Sequence, residues 1–165
     1  MKSNQFTQIS ADIAKALIAK DQTVCVAESS AGGLISASLL AVPGASAFFL
    51  GGGVIYTRNA REAFLPDPGE ALSGVRSASE SYATWLARAT CGHLGATWAL
   101  SESGASGPRG NSYGDKPGHS CLGVYGPEQR VLTIETGSAD REPNMWAFAH
   151  AGLTLLRDAI NAQAK

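Results

Sequence analysis

A strand-like run, Val24-Cys-Val-Ala27, leads into Glu28, Ser29 and Ser30, and Gly32-Gly33 then opens an apolar-periodic stretch reaching Leu40. A strand, a polar turn and a helix start in that order bring hydroxyls and backbone N–H groups to one point. The first N–H groups of a helix have no intrahelical partner and face outward, so such a junction suits an anion or a developing oxyanion. Gly32 and Gly33 let the backbone approach a ligand closely, because no Cβ intervenes. Chemistry is expected here. The plain alternative is that Ser29 and Ser30 merely cap the helix and that Glu28 pairs with an arginine.

The elements that must position this turn follow from periodicity. Helices are expected over Phe6–Lys20, Gly32–Ala41, Asn59–Leu65, Ser79–Leu94 and Arg141–Ala162. Strands are expected over Thr23–Ala27, Ala47–Tyr56 with a bend at Gly51-Gly-Gly53, Ala96–Ser101, Ser120–Tyr125 and Val131–Glu135. Gly104–Gly118 reads as a loop. Strands alternating with helices, closed by a hairpin, indicate an α/β fold with a mixed sheet.

The totals set limits. The 165 residues read as one domain over 1–165, large enough for a core without disulfides or metals. A net charge of -1 argues against nucleic-acid binding as the main task. Cys25, Cys91 and Cys121 are odd in number and widely spaced, which suits free, buried thiols in a reducing compartment. No run approaches the roughly 20 apolar residues of a membrane span, and the first residues lack a signal-peptide core. A cytoplasmic protein with no membrane partner is expected. The three histidines have no ligand spacing, so neither metal nor cofactor is expected.

Five segments together suggest a family. Ala27-Glu-Ser-Ser-Ala-Gly-Gly33, Val42-Pro-Gly-Ala-Ser46, Gly51-Gly-Gly-Val-Ile-Tyr56, Ser103-Gly-Ala-Ser-Gly-Pro108 and Lys116-Pro-Gly118 occur in the order and approximate spacing of the CinA C-terminal domain. The chain resembles that family, the nicotinamide-nucleotide amidase module, from about Ile9 to Ala159. The resemblance implies a three-layer α/β/α sandwich and a homo-oligomer. It also implies hydrolysis of the nicotinamide mononucleotide carboxamide to nicotinate mononucleotide and ammonia.

The same resemblance implies catalytic roles for Ser29 as nucleophile, Tyr56 as its support and Arg61 in the place of a usual lysine. It implies substrate binding by Glu28, Ser30, Gly32, Gly33, Ser103, Gly104 and Arg141, the last of these on a phosphate. Departures fall at Ser30 and Ala31, where the family shows Cys and Thr, at Thr57, Arg58 and Arg61, and at Glu102, Ser103, Ser106 and Arg109.

Amide hydrolysis needs a nucleophile, a base, an acid for the leaving nitrogen and oxyanion donors. A buried lysine can be a base; a guanidinium stays protonated and cannot. Tyr56 as a phenolate stabilised by Arg61, Glu28, Lys116 and His119 are the alternatives. If none serves, the chain is a nucleotide-binding homologue that kept the pocket and lost the base. Each residue also has a structural reading: packing for Tyr56, solvated charge for Arg58 and Arg61, and an ion pair with Asp140 or Glu142 for Arg141. Trp85, Trp98 and Trp146 read as core or subunit-interface residues.

Overall fold

The computed structural model describes residues 3–163. Five strands form one mixed sheet in the order β2-β1-β3-β4-β5. They are β1 (Val24–Glu28), β2 (Phe49–Val54), β3 (Trp98–Ala105), β4 (His119–Tyr125) and β5 (Arg130–Glu135). The first three are parallel, β4 is antiparallel to β3, and β5 is antiparallel to β4. The helices are α1 (Ser3–Ala19), α2 (Leu34–Leu40), α3 (Arg58–Phe64), α4 (Glu80–Leu94) and α5 (Arg141–Ala162).

Side-chain alternation along the strands separates two cores. Val24, Val26, Trp98, Leu100 and Val124 pack with Ile13 and Leu17 of α1, Ile35 and Leu39 of α2, and Phe148, Leu153, Leu156 and Ile160 of α5. On the opposite face Cys25, Ala27 and Ala99 meet Tyr82, Leu86, Ala87 and Cys91 of α4. Helices α1, α2 and α5 therefore form one layer and α4 another, giving the three-layer α/β/α sandwich. Small strand residues let α4 come close: a Cβ on Gly123 would lie 2.7 Å from the Ala83 carbonyl oxygen.

All three parallel strands end at one edge of the sheet, with Glu28 level with Val54 and Ala27 level with Ser101. The chain leaves β1 for α2 on one face and leaves β2 for α4 on the other. Ligand crevices of α/β sheets form where such loops diverge. The first turn of α5 arrives at the same edge, where Met145 Cε lies 2.8 Å from the position of a Cβ on Gly32.

Three elements differ from expectation, the first being β2, which starts only at Phe49 because Ala45–Ala47 forms a 3-10 turn. β3 runs on past Ser101 to Ala105, because Glu102 to Ala105 pair with Leu122 back to His119. The helix after Gly32 starts only at Leu34, since Gly32 and Gly33 hold φ of +70° and +98°, conformations that a helix excludes. The three cysteines are free and buried. Burial, with Cys91 nearby, pushes the Cys25 thiol up to about 12. No helix among the described residues is long and apolar enough to cross a membrane.

Candidate active site

The turn after β1 is built on two buried carboxylates. Glu28 shares the alternation of Val24 and Val26, so its side chain lies on the α2 face. There it accepts hydrogen bonds from Ile35 N (3.1 Å), Ser36 N (2.9 Å) and Ser36 Oγ (2.6 Å). It does the work of an N-cap for α2, whose own N-cap, Gly33, has no side chain. Neither Ser29 nor Ser30 caps the helix.

Glu102 enters from β3 on the same face. Its Oε2 accepts from Ser29 N (3.0 Å) and Ala31 N (2.8 Å), and its Oε1 from Ser30 Oγ (2.5 Å) and Ser120 Oγ (2.8 Å). It is wholly buried. Burial raises its carboxyl above the usual range, and the four donors pull the other way without cancelling that rise.

These contacts correct the expectation that the first N–H groups of the helix face outward. Gly32 N and Leu34 N are taken by the Ser29 and Ala31 carbonyls, and the other donors by Glu28 and Glu102. Among the described residues, only the N–H groups of Ser30 and Gly33 are left unclaimed in this turn. Ser29 is half-buried, and its hydroxyl makes no hydrogen bond within the described residues.

A second pair closes over this edge. Tyr56, just beyond β2, is 57% exposed, and its Oη accepts from Arg141 Nη2 at 3.2 Å. Arg141 Nη1 donates to the Gly107 carbonyl at 2.7 Å. Since β1 lies between β2 and β3, this link runs across the strand end that carries Ser29. Arg141 pairs with neither Asp140 nor Glu142, and among the described residues no carboxylate neutralises it. Buried Asn144 secures the loop by donating to the Ser106 and Ser138 carbonyls, each at 2.8 Å. The Ser106 hydroxyl beside it is buried and unpartnered.

Arg61 goes elsewhere. Its guanidinium lies by the hydroxyl of Tyr82, whose pKa burial raises and Arg61 and Ser77 draw back. It also borders an open cavity of about 710 Å³ with Arg58, Leu65 and Pro68. Tyr56 thus has Arg141, not Arg61, as its guanidinium partner. Arg61 Nε is buried without a partner. Ser103 faces α4 and accepts from Ala78 N at 3.1 Å, so its hydroxyl serves the scaffold. Gly104 answers to packing: a Cβ there would stand 2.3 Å from the His119 carbonyl oxygen.

His119 is saturated as well. Its Nδ1 is 2.5 Å from Glu135 Oε1 and its Nε2 is 3.0 Å from the Ala78 carbonyl, so both nitrogens face acceptors. Burial opposes a charged ring, but Glu135, the Ala78 carbonyl and Asp115 hold its pKa above the ordinary value. With a partner on each nitrogen, the ring has no free lone pair turned toward Ser29. Sequence reasoning missed Glu102 as the residue that fills the turn, although a Glu among the small residues Ser101, Ser103 and Gly104 was a visible signal. Among the described residues, no group of three or more His, Cys, Asp or Glu side chains could hold a metal ion.

The CinA C-terminal domain profile matches residues 6–160. A CinA-like protein from Desulfosudis oleivorans is 32% identical over 90% of this chain, and one from Myxococcus xanthus is 35% identical over 85%. The matched regions span 36% and 34% of those proteins, about a third of their length. Among solved structures, a competence damage-inducible protein A (ComA) from Klebsiella pneumoniae superposes with a TM-score of 0.87 at 25% identity, covering 96% of this chain and 99% of that one. A competence/damage inducible protein CihA from Agrobacterium tumefaciens gives 0.84 at 26% identity, covering 95% and 96%.

Proposed function

The chain belongs to the CinA C-terminal domain family, and on that premise we propose that it is an amidohydrolase of the nicotinamide-nucleotide amidase type. In this reading Ser29 attacks the carboxamide carbon of nicotinamide mononucleotide and releases ammonia. Water then hydrolyses the resulting acyl-enzyme to nicotinate mononucleotide. The observation that carries the reading is the unclaimed Ser29 hydroxyl at the end of the central parallel strand, with Arg141 joining Tyr56 and Gly107 beyond the strands on either side of it. The N–H of Ser30, the residue after the nucleophile, is the natural oxyanion donor at such a strand-to-helix turn.

In this scheme Tyr56, as the phenolate, takes the Ser29 proton and returns it to the departing nitrogen, which leaves as ammonia. Glu28 and Glu102 are filled by donors, both His119 nitrogens are engaged, Arg61 cannot deprotonate, and Lys116 is exposed beside Glu135, Gly137 and Ser138. Arg141 holds the Tyr56 oxygen and keeps further N–H donors for a substrate phosphate, an anion that guanidinium suits. Ser30, Gly32 and Gly33 shape the floor, and Arg61, turned toward Tyr82, takes no part in this scheme. The substrate would enter from the edge of the sheet, and a homo-oligomer in the cytoplasm is the setting proposed with it.

One observation favours a second reading. Arg61 stands where the family pattern has a lysine and leans on Tyr82, so a nucleotide-binding protein without turnover remains the rival. Ammonia release from nicotinamide mononucleotide decides between them. Turnover by the wild type, lost in Ser29→Ala, supports the amidase. Calorimetric binding without turnover, with activity gained in Arg61→Lys, supports the rival.

A further inference from the structure

Strand β3 sends Trp98 and Leu100 into the larger apolar core, and the next residue in that alternation is Glu102. An apolar side chain would continue the pattern at no electrostatic cost. Burying a carboxylate instead is expensive unless every lone pair is met and the charge is balanced. Here the lone pairs are met by four donors, and among the described residues no cation pairs with the charge.

Three of those donors belong to the turn that presents Ser29: the N–H groups of Ser29 and Ala31 and the Ser30 hydroxyl. N–H groups converging from alternate residues of a turn make a concavity for an anion. The occupant is the chain's own carboxylate, reached from the neighbouring strand and braced behind by Ser120. Without it, those N–H groups would need solvent or ligand as partners. The turn could then present several competing donor arrangements.

We propose that Glu102 is a positioning residue for the Ser29 reaction, an internal anion that clamps the turn from beneath and leaves the Ser29 hydroxyl and the Ser30 N–H for substrate. This rests on the amidase reading above. One corollary concerns the substrate. With Glu102 and Glu28 occupying the turn's N–H groups, the start of α2 offers a substrate phosphate no free donor set, and Arg141, with no carboxylate partner among the described residues, is a cation available for it at this edge.

Two substitutions separate the roles of shape and hydrogen bonding. In Glu102→Gln the amide oxygen can accept from Ser29 N and Ala31 N while its NH2 donates to the Ser30 and Ser120 oxygens, so the clamp survives without charge. Glu102→Leu keeps the volume and loses the acceptors. The expected result on nicotinamide mononucleotide is a kcat within about fivefold of wild type for Gln and at least about a hundredfold lower for Leu, with KM changed by less than about threefold in both. Amide hydrogen exchange followed by NMR on the whole chain should show Ser29 and Ala31 protected in wild type and Gln. In Leu they should be exposed, with α5 unchanged.

A Leu variant that keeps its kcat, or one whose Ser29 and Ala31 amides stay protected, overturns the proposal. Should the Leu variant not fold, Ser120→Ala removes the brace alone and is expected to lower kcat about fivefold with faster exchange at Ser29. No change in either would overturn the proposal too. If wild type releases no ammonia, the amidase reading fails by itself, and the exchange of Ser29 and Ala31 still decides whether Glu102 clamps the turn.

Discussion

Two polar clusters sit at the same edge of the sheet on opposite faces, and they are built on different principles. Around His119, charges alternate: Arg76 pairs with Asp115, Asp115 lies 3.7 Å from the ring, and Glu135 takes its other nitrogen. The Arg76 hydrogen bond is the leading cause that holds the Asp115 carboxyl below its usual range. Every group there is both neutralised and partnered. Around Glu102, one buried carboxylate gathers four donors without a counter-charge, and the hydroxyl and N–H beside it stay free. Saturation marks a brace that joins β4, β5 and the start of α4. A selective deficit marks a place where a ligand completes the hydrogen bonding.

That contrast can be broken most severely at Ser29. Replacement by alanine is expected to lower ammonia release by at least about a thousandfold while leaving Tm unchanged, because the hydroxyl supports nothing in the fold. Arg141→Ala should come next, raising KM for nicotinamide mononucleotide about thirtyfold and shifting kcat less, as expected of a phosphate contact. Steady-state kinetics check both. An Arg141→Ala variant with normal KM would place the phosphate elsewhere.

Stability against pH sharpens the comparison, because removing each cluster's central group has opposite signs. The folded pKa of His119 is raised, so its contribution is fully present below the ordinary histidine value and fades as pH rises through the folded value. His119→Gln should therefore destabilise by about 1 to 2 kcal/mol at pH 6, and by less above the folded pKa. Glu102 is also raised, but there the fold favours the neutral acid. Its stability contribution is lost as pH climbs from the ordinary carboxylate value through the folded one. Glu102→Gln should match wild type in acid and become the more stable of the two near neutrality. Thermal melts across pH 4 to 9 test both. The smallest effect belongs to Arg58→Ala: the pair with Glu62 is exposed, and Tm should stay within about one degree.

Much of this was legible in the residues. The long helix Arg141–Ala162 has the same bounds as expected, since its apolar stripe is continuous. The strand, turn and helix around Ser29 were also visible, because apolar alternation stops at Glu28 and two glycines follow. What filled the turn was not legible. Glu102 lies 73 residues from Ser29, and only the register of β1 against β3 brings them together. The strand was expected to stop at Ser101 and a loop to begin at Gly104, yet Glu102, Ser103 and Gly104 each have a partner or a packing reason inside the sheet. Gly51-Gly-Gly53 read as a bend. The strand expected around that bend is there, its register against β1 slips between Phe49 and Gly51, and a Cβ on Gly52 would lie 2.1 Å from Ser36 Oγ, so the glycine admits the helix that Glu28 caps. Arg61 stood close to Tyr56 in sequence, but α3 turns it toward Tyr82 while Arg141 arrives from the far end of the chain.

The central claim is that the one unpartnered hydroxyl of the turn performs the chemistry. Acid-quenching the protein during turnover of nicotinamide mononucleotide and mapping peptides by mass spectrometry tests it most directly. The account predicts a nicotinoyl-nucleotide ester on the peptide at Ser29, absent in Ser29→Ala. Ammonia released at equal rates by both proteins, with no ester at Ser29, would contradict it.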